Sequence, residues 1–170
     1  MLKYAKVIDD QTKLCEVGLG SDSEFYLSVG MTELDVEQAY DNNWYLTGYC
    51  PTPPLADLKL AKREEINRAR DAAEQGGFSY LGKTFDSDTV SCLRISCAAQ
   101  SMELAPSSST ITWTCQDNST IDLTPTDLKG LVATLAMHSN TCHEKATALK
   151  AKIEAAQTAE ELAAITWDSL

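Results

Sequence analysis

Histidine is scarce in this chain: there are two, His138 and His143, both in the same helical stretch. With both so placed, no serine, histidine and acid can be assigned as nucleophile, base and orienting group. The six cysteines, Cys15, Cys50, Cys92, Cys97, Cys115 and Cys142, include no C-x-x-C pair, which argues against a zinc knuckle or a dithiol redox site. No stretch approaches the roughly 18 apolar residues of a membrane span, so membrane insertion is not expected. Basic residues are outnumbered 14 to 25 by acidic ones, for a net charge of -11. Such a surface repels phosphate, so nucleic acid and anionic membranes are not expected partners; the same charge also favours solubility. "GLG" at Gly18–Gly20 lacks the helix-opening continuation that a dinucleotide site requires. The start, "MLKYAKVIDD", becomes charged at once and offers no signal-peptide core. The expectation is a protein made and kept in the cytoplasm unless carried out within something larger.

What is present describes an architecture. The 170 residues suit one ordinary domain or two small ones, and an apolar fraction of 44% is that of a globular protein. In a reducing compartment the six thiols read as small buried side chains, with oxidation after release from the cell as the alternative.

Residues 1–50 read as a small β-rich attachment unit. "LKYAKVI" and "KLCEVGLG" are strands parted by the turn-forming "DDQT". "TELDVEQAY" reads as a short helix capped by Thr32, and "NWYLTGYC" as a third strand. Residues 51–77 read as a linker and spacer helix. "PTPP" is stiff, because each proline fixes φ and restricts its predecessor. The helix after it ends at Gly76-Gly77. Its apolar arc of Leu55, Leu58, Ala61, Ile66, Ala69, Ala72 and Ala73 is mostly alanine, so the helix is expected to be lightly held or to act as a spacer.

Residues 78–170 read as a mainly helical domain with a β-hairpin. "FSYLGKTFDSD" gives two very short strands around Leu81-Gly82, followed by a helix capped at Asp86 or Ser87. "TITWTCQDNSTIDL" is a hairpin. Thr124 and Pro125 then open a long helix. Its seam of Leu128, Val132, Leu135, Ser139, Cys142, Ala146, Leu149, Ile153 and Ala156 keeps a 4-3 spacing, small and weak at Ser139 and Cys142. The seam fits an intramolecular bundle or a subunit-to-subunit coiled coil. Thr158-x-x-Glu161 is a capping box for a final short helix. The fold class is therefore α+β: a β-rich unit, a proline linker, then helices with a hairpin.

Chemistry is thin. His138 and Cys142, four apart, face one side of a helix, but two ligands do not close a metal site, and neither a metal nor a cofactor is expected. Glu64-Glu65 and Glu160-Glu161 read as solvated helix faces, and Trp44, Trp113 and Trp167 as core anchors. Surfaces are then what the chain offers. The candidate interaction residues are Trp44, Tyr45 and Tyr49 in the β-rich unit, with Leu128, Val132, Leu135, Leu149 and Ile153 on the seam.

The stretch "REEINRARDAAEQGGFSYLGKTFDSD" and the segment from "ITWTCQDNSTIDL" to "AEELAAITW" resemble a domain of unknown function that recurs in phage tail proteins. The likeness covers about residues 60–168 and rests on the order of its motifs: a basic helix, "YLGKTFDSD", "ITW" with a polar turn, the long helix and its ending. The opening segment looks like the leaders of tail-fibre and fibre-assembly proteins. The resembled family often carries alanine or other residues at the positions of Cys92, Cys97, Cys115 and Cys142, so these thiols are particular to this chain. The resemblance implies a tail component in the virion, made in the host cytoplasm, with tail-fibre or baseplate proteins as partners; homo-oligomerisation rests on the second reading of the seam. A fibre-assembly chaperone is the alternative, and a depolymerase or wall hydrolase the reading from another class. No catalytic residues carry over from the family.

Overall fold

A computed structural model describes residues 1–170, which divide into two compact units, Met1–Pro54 and Leu55–Leu170. In the first unit, β1 (Leu2–Asp9), β2 (Leu14–Val17), β3 (Thr32–Gln38) and β4 (Trp44–Leu46) pair antiparallel in the order β1-β2-β4-β3 and close into a barrel. The β1–β2 turn is set by the Asp9 carboxylate, which accepts the Gln11 N–H and the Thr12 hydroxyl, each at 2.8 Å. Period-two alternation sends Ala5, Cys15 and Val36 inward, with Val7, Val17, Leu34, Trp44 and Leu46 packed around them. That core is small, as expected for a unit of about fifty residues.

Two corrections arise here. "TELDVEQ" is not a helix but strand β3, paired on both sides, to β1 and to β4. Leu34 and Val36 supply its inward period, and two-sided pairing overrides the local capping signals. The helix of this unit lies earlier, at α1 (Ser23–Ser28), where Asp22 accepts the Phe25 N–H at 3.0 Å. The Gly-Leu-Gly segment finds its use there. The Tyr26 ring lies so close over Gly18 that a Cβ would collide with it, its hydroxyl accepts the Gly20 N–H at 2.6 Å, and it stacks on Tyr4.

The second unit contains α2 (Leu55–Glu74), β5 (Phe78–Tyr80), β6 (Lys83–Phe85), α3 (Thr89–Met102), β7 (Ile111–Thr114), β8 (Thr120–Leu123), α4 (Pro125–Ala155), α5 (Ala159–Ala163) and a 3₁₀ turn at Trp167–Ser169. β5–β6 and β7–β8 are separate hairpins. Helix α4 opens on a capping box: Thr124 accepts the Asp127 N–H at 3.2 Å, and the Asp127 carboxylate accepts the Thr124 N–H at 2.9 Å. Helix α2 runs antiparallel to it, for Lys59 donates to the Glu154 carbonyl at 2.7 Å while Glu74 meets Ser139.

The 31-residue α4 serves two cores. Its first half sends Leu128 and Leu131 among Phe78, Phe85, Ile95, Cys115 and Leu123. Its second half sends Ala146, Leu149 and Ile153 among Ile66, Ala156, Leu162 and Ile165. The expected spacer is corrected accordingly. α2 belongs to the second unit, and Ile66 is 0% exposed because α4 and α5 supply the large apolar partners that its own alanine-rich face lacks. No helix is long and apolar enough to cross a membrane.

Candidate functional site

The C-terminus of α2, the N-terminus of α3 and the middle of α4 converge on Glu74. Gly77, at φ +94°, turns the chain out of α2 into β5; a side chain there would press on the Phe85 carbonyl. Ser87, 4% exposed, secures this turn: its hydroxyl donates to the Glu74 carbonyl at 2.5 Å and accepts the Gly77 N–H at 2.9 Å. This employment takes Ser87 away from α3, and Asp86 does not cap that helix either. Asp88 does so, accepting the Val90 and Ser91 N–H groups at 2.9 and 3.2 Å.

From α4, His138 Nε2 approaches the Glu74 carbonyl at 3.2 Å, and its ring stacks on Phe78. A carbonyl can only accept, so Nε2 carries the proton in this contact. Ser139 donates to one carboxylate oxygen of Glu74, and His143 Nε2 lies 3.4 Å from the other. Both histidines of the chain thus meet one residue of α2. Beside them opens a cleft of about 530 Å³, walled by Val132, Leu135, Ala136 and Cys92, with Glu74, Gln75, Ser87, Thr89 and Ser139 as polar groups. Its lining carries one charged side chain, that of Glu74.

The thiols here are not activated. Burial pushes Cys92 up, and the Asp88 and Glu74 carboxylates push it further. Burial likewise raises Cys142, with Glu74 adding to the shift and Lys145 partly offsetting it. A nucleophilic cysteine needs the reverse, a cationic setting that favours thiolate. No group of three or more His, Cys, Asp or Glu side chains is placed to hold a metal ion. His138 and Cys142 share a helix face, but His138 is committed to α2 and to Phe78 while Cys142 is buried at 7% exposure. All six cysteines are free thiols; Cys15, Cys115 and Cys142 are buried as expected, whereas Cys50 and Cys92 are half-buried and Cys97 is exposed.

The candidate interaction residues divide sharply. Leu128, Leu149 and Ile153 are 0% exposed within the chain, and Tyr45 is buried with its hydroxyl on Asp41, so these four are core and not contact surface. For them the seam packs within the monomer, in place of the subunit-to-subunit alternative. Trp44 is half-buried under Lys3, and Tyr49 is exposed. Val132 and Leu135 are half-buried and line the Glu74 cleft, and Val132 also borders a smaller cleft beside Ala99 and Lys129. The tryptophans are half-buried rims rather than buried anchors, each packed on the edge of a different core.

Sequence reasoning missed Glu74 and Ser87 as organising residues. The one signal was Ser139, a polar break in an apolar seam that needed a partner. No curated protein and no solved structure matches the chain. Residues 57–166 match the family model described as a domain of unknown function, DUF4376. This span covers nearly all of the second unit, the cleft included, and more than half of the sequence, so the chain belongs to the DUF4376 family.

Proposed function

We propose that this protein is a non-enzymatic bacteriophage tail component that docks tail fibres or receptor-binding proteins on the baseplate or tail tip. The tail assignment rests on the ordered motifs of residues 60–168 and on the tail-like opening segment. The observation that carries the docking role is the pair of separately cored units joined in sequence through a proline-rich segment, Pro51–Pro54. Two such modules present two faces to two neighbours. Thiols raised away from reactivity, and histidines spent on a helix–helix contact, support a binding role over catalysis. A fibre-assembly chaperone is the second reading. It is favoured by α1, whose Phe25 and Leu27 are each 55% exposed and suit transient cover of an unassembled apolar end.

Quantitative mass spectrometry of purified virions tests both. A fixed copy number per particle is expected for the tail component. Absence from virions together with co-purification on unassembled fibres would favour the chaperone, and absence from both would overturn the proposal.

A further inference from the structure

We propose that the Glu74 cleft is a binding site for a basic side chain, arginine or lysine, presented by a partner protein. This identifies the chemistry of a docking surface and so builds on the docking role, though not on the tail assignment. At about 530 Å³ the cleft falls within the roughly 300–1,000 Å³ usual for ligand sites. Val132, Leu135 and Ala136 give it an apolar wall, the surface along which the methylene stem of arginine or lysine packs while its head seeks charge.

The head would meet Glu74. An ionised carboxylate offers about four acceptor sites. Ser139 takes one oxygen, and the other faces only His143, an imidazole charged only when protonated. No lysine or arginine lines the cleft, and the carboxylates of Asp88 and Glu74 both act on the Cys92 thiol in its wall. A guanidinium or ammonium is therefore the guest whose charge the site lacks, and a planar guanidinium can engage both carboxylate oxygens. The net charge of -11 draws cationic segments toward the chain in general; the cleft selects where one side chain inserts.

The test is a titration of the full ¹⁵N-labelled chain with N-acetyl-arginine methylamide, followed by amide shifts, with N-acetyl-norleucine methylamide as the neutral comparison. Shifts clustered on Glu74, Thr89, Cys92 and Ser139, saturating at least about tenfold more tightly for the cation, are expected. Glu74→Gln keeps an acceptor for Ser139 and should weaken the arginine probe by about tenfold. Thr89→Arg, at an exposed position on the rim, should occupy the cleft from within and abolish binding. Equal affinity for the neutral probe, shifts located elsewhere, or wild-type binding in Thr89→Arg would each overturn the inference. Self-association that Glu74→Gln abolishes would also overturn it, assigning the cleft to a second copy. Failure here leaves the virion measurement untouched, so the two proposals fall separately.

Discussion

Tyr80 and Gly130 illustrate how much one absent methyl group decides in this protein. Gly130 lies inside α4, where glycine is disfavoured relative to alanine by about 1 kcal/mol. Its place is explained by the Tyr80 phenol, which lies against the helix where a Cβ would stand. The β5–β6 hairpin can therefore press its ring onto α4 above the Phe78–Phe85 pair. Two effects of Gly130→Ala oppose each other, helix propensity and overpacking, and overpacking is the larger at about 1–3 kcal/mol. The substitution is expected to lower stability by up to about 2 kcal/mol in urea titrations. In a Tyr80→Ala background its sign should reverse, with alanine stabilising by up to about 1 kcal/mol. Destabilisation of equal size in both backgrounds would show that the ring is not the obstacle.

At the scale of elements, helix starts are fixed by carboxylates whose ionisation the fold uses. Asp127 is held below the usual carboxylate range by the Thr124 hydroxyl and then by the Thr124 N–H. Asp88 is lowered by the Ser91 hydroxyl and then by the Ser91 N–H. A carboxylate lowered in the folded state contributes stability that is complete above its unfolded value, about 3.9, and is lost as pH falls through the folded value. Thermal melts should thus hold steady down to about pH 5 and drop below about pH 4, and Asp127→Asn should flatten that drop. An acid limb unchanged in Asp127→Asn would count against the cap as its source.

The same elements mark what could be read from sequence. Thr124-Pro125 announced α4, and Gly76-Gly77 the end of α2, because caps and stops act within a few residues. "TELDVEQ" misled because its local helix signals compete with pairing partners about thirty residues before it and six to ten after it. The Glu74 cluster was illegible for a related reason: its contacts to His138 and Ser139 span 64 and 65 positions. The 4-3 seam named most of the buried face of α4 but omitted Leu131, fully buried because hairpins and α3 wrap the first half of the helix over a wider arc than a two-helix seam.

At the scale of the whole molecule, three hydrophobic clusters are distributed over two units, one in the first and two in the second. The two clusters of the second unit share α4, so they are expected to unfold together. Limited proteolysis with a protease of broad specificity should cut first near Pro51–Pro54 and release a stable fragment beginning close to Leu55. First cuts within α2 would contradict its assignment to the helical core. Such a fragment would also carry the DUF4376 match and the Glu74 cleft on a single piece of chain.

The closed order of β1-β2-β4-β3 limits how the first unit can be recognised. Each strand already has two hydrogen-bonded neighbours, and the stretches paired on one side alone, Lys6–Asp9 of β1 and Thr32–Leu34 of β3 among them, are short, so a visiting peptide finds little edge on which to add itself as a further strand. A neighbour then grips this unit mainly by its outward side chains, Phe25 and Tyr49 among them, and selectivity there becomes a question of shape more than of main-chain complementarity.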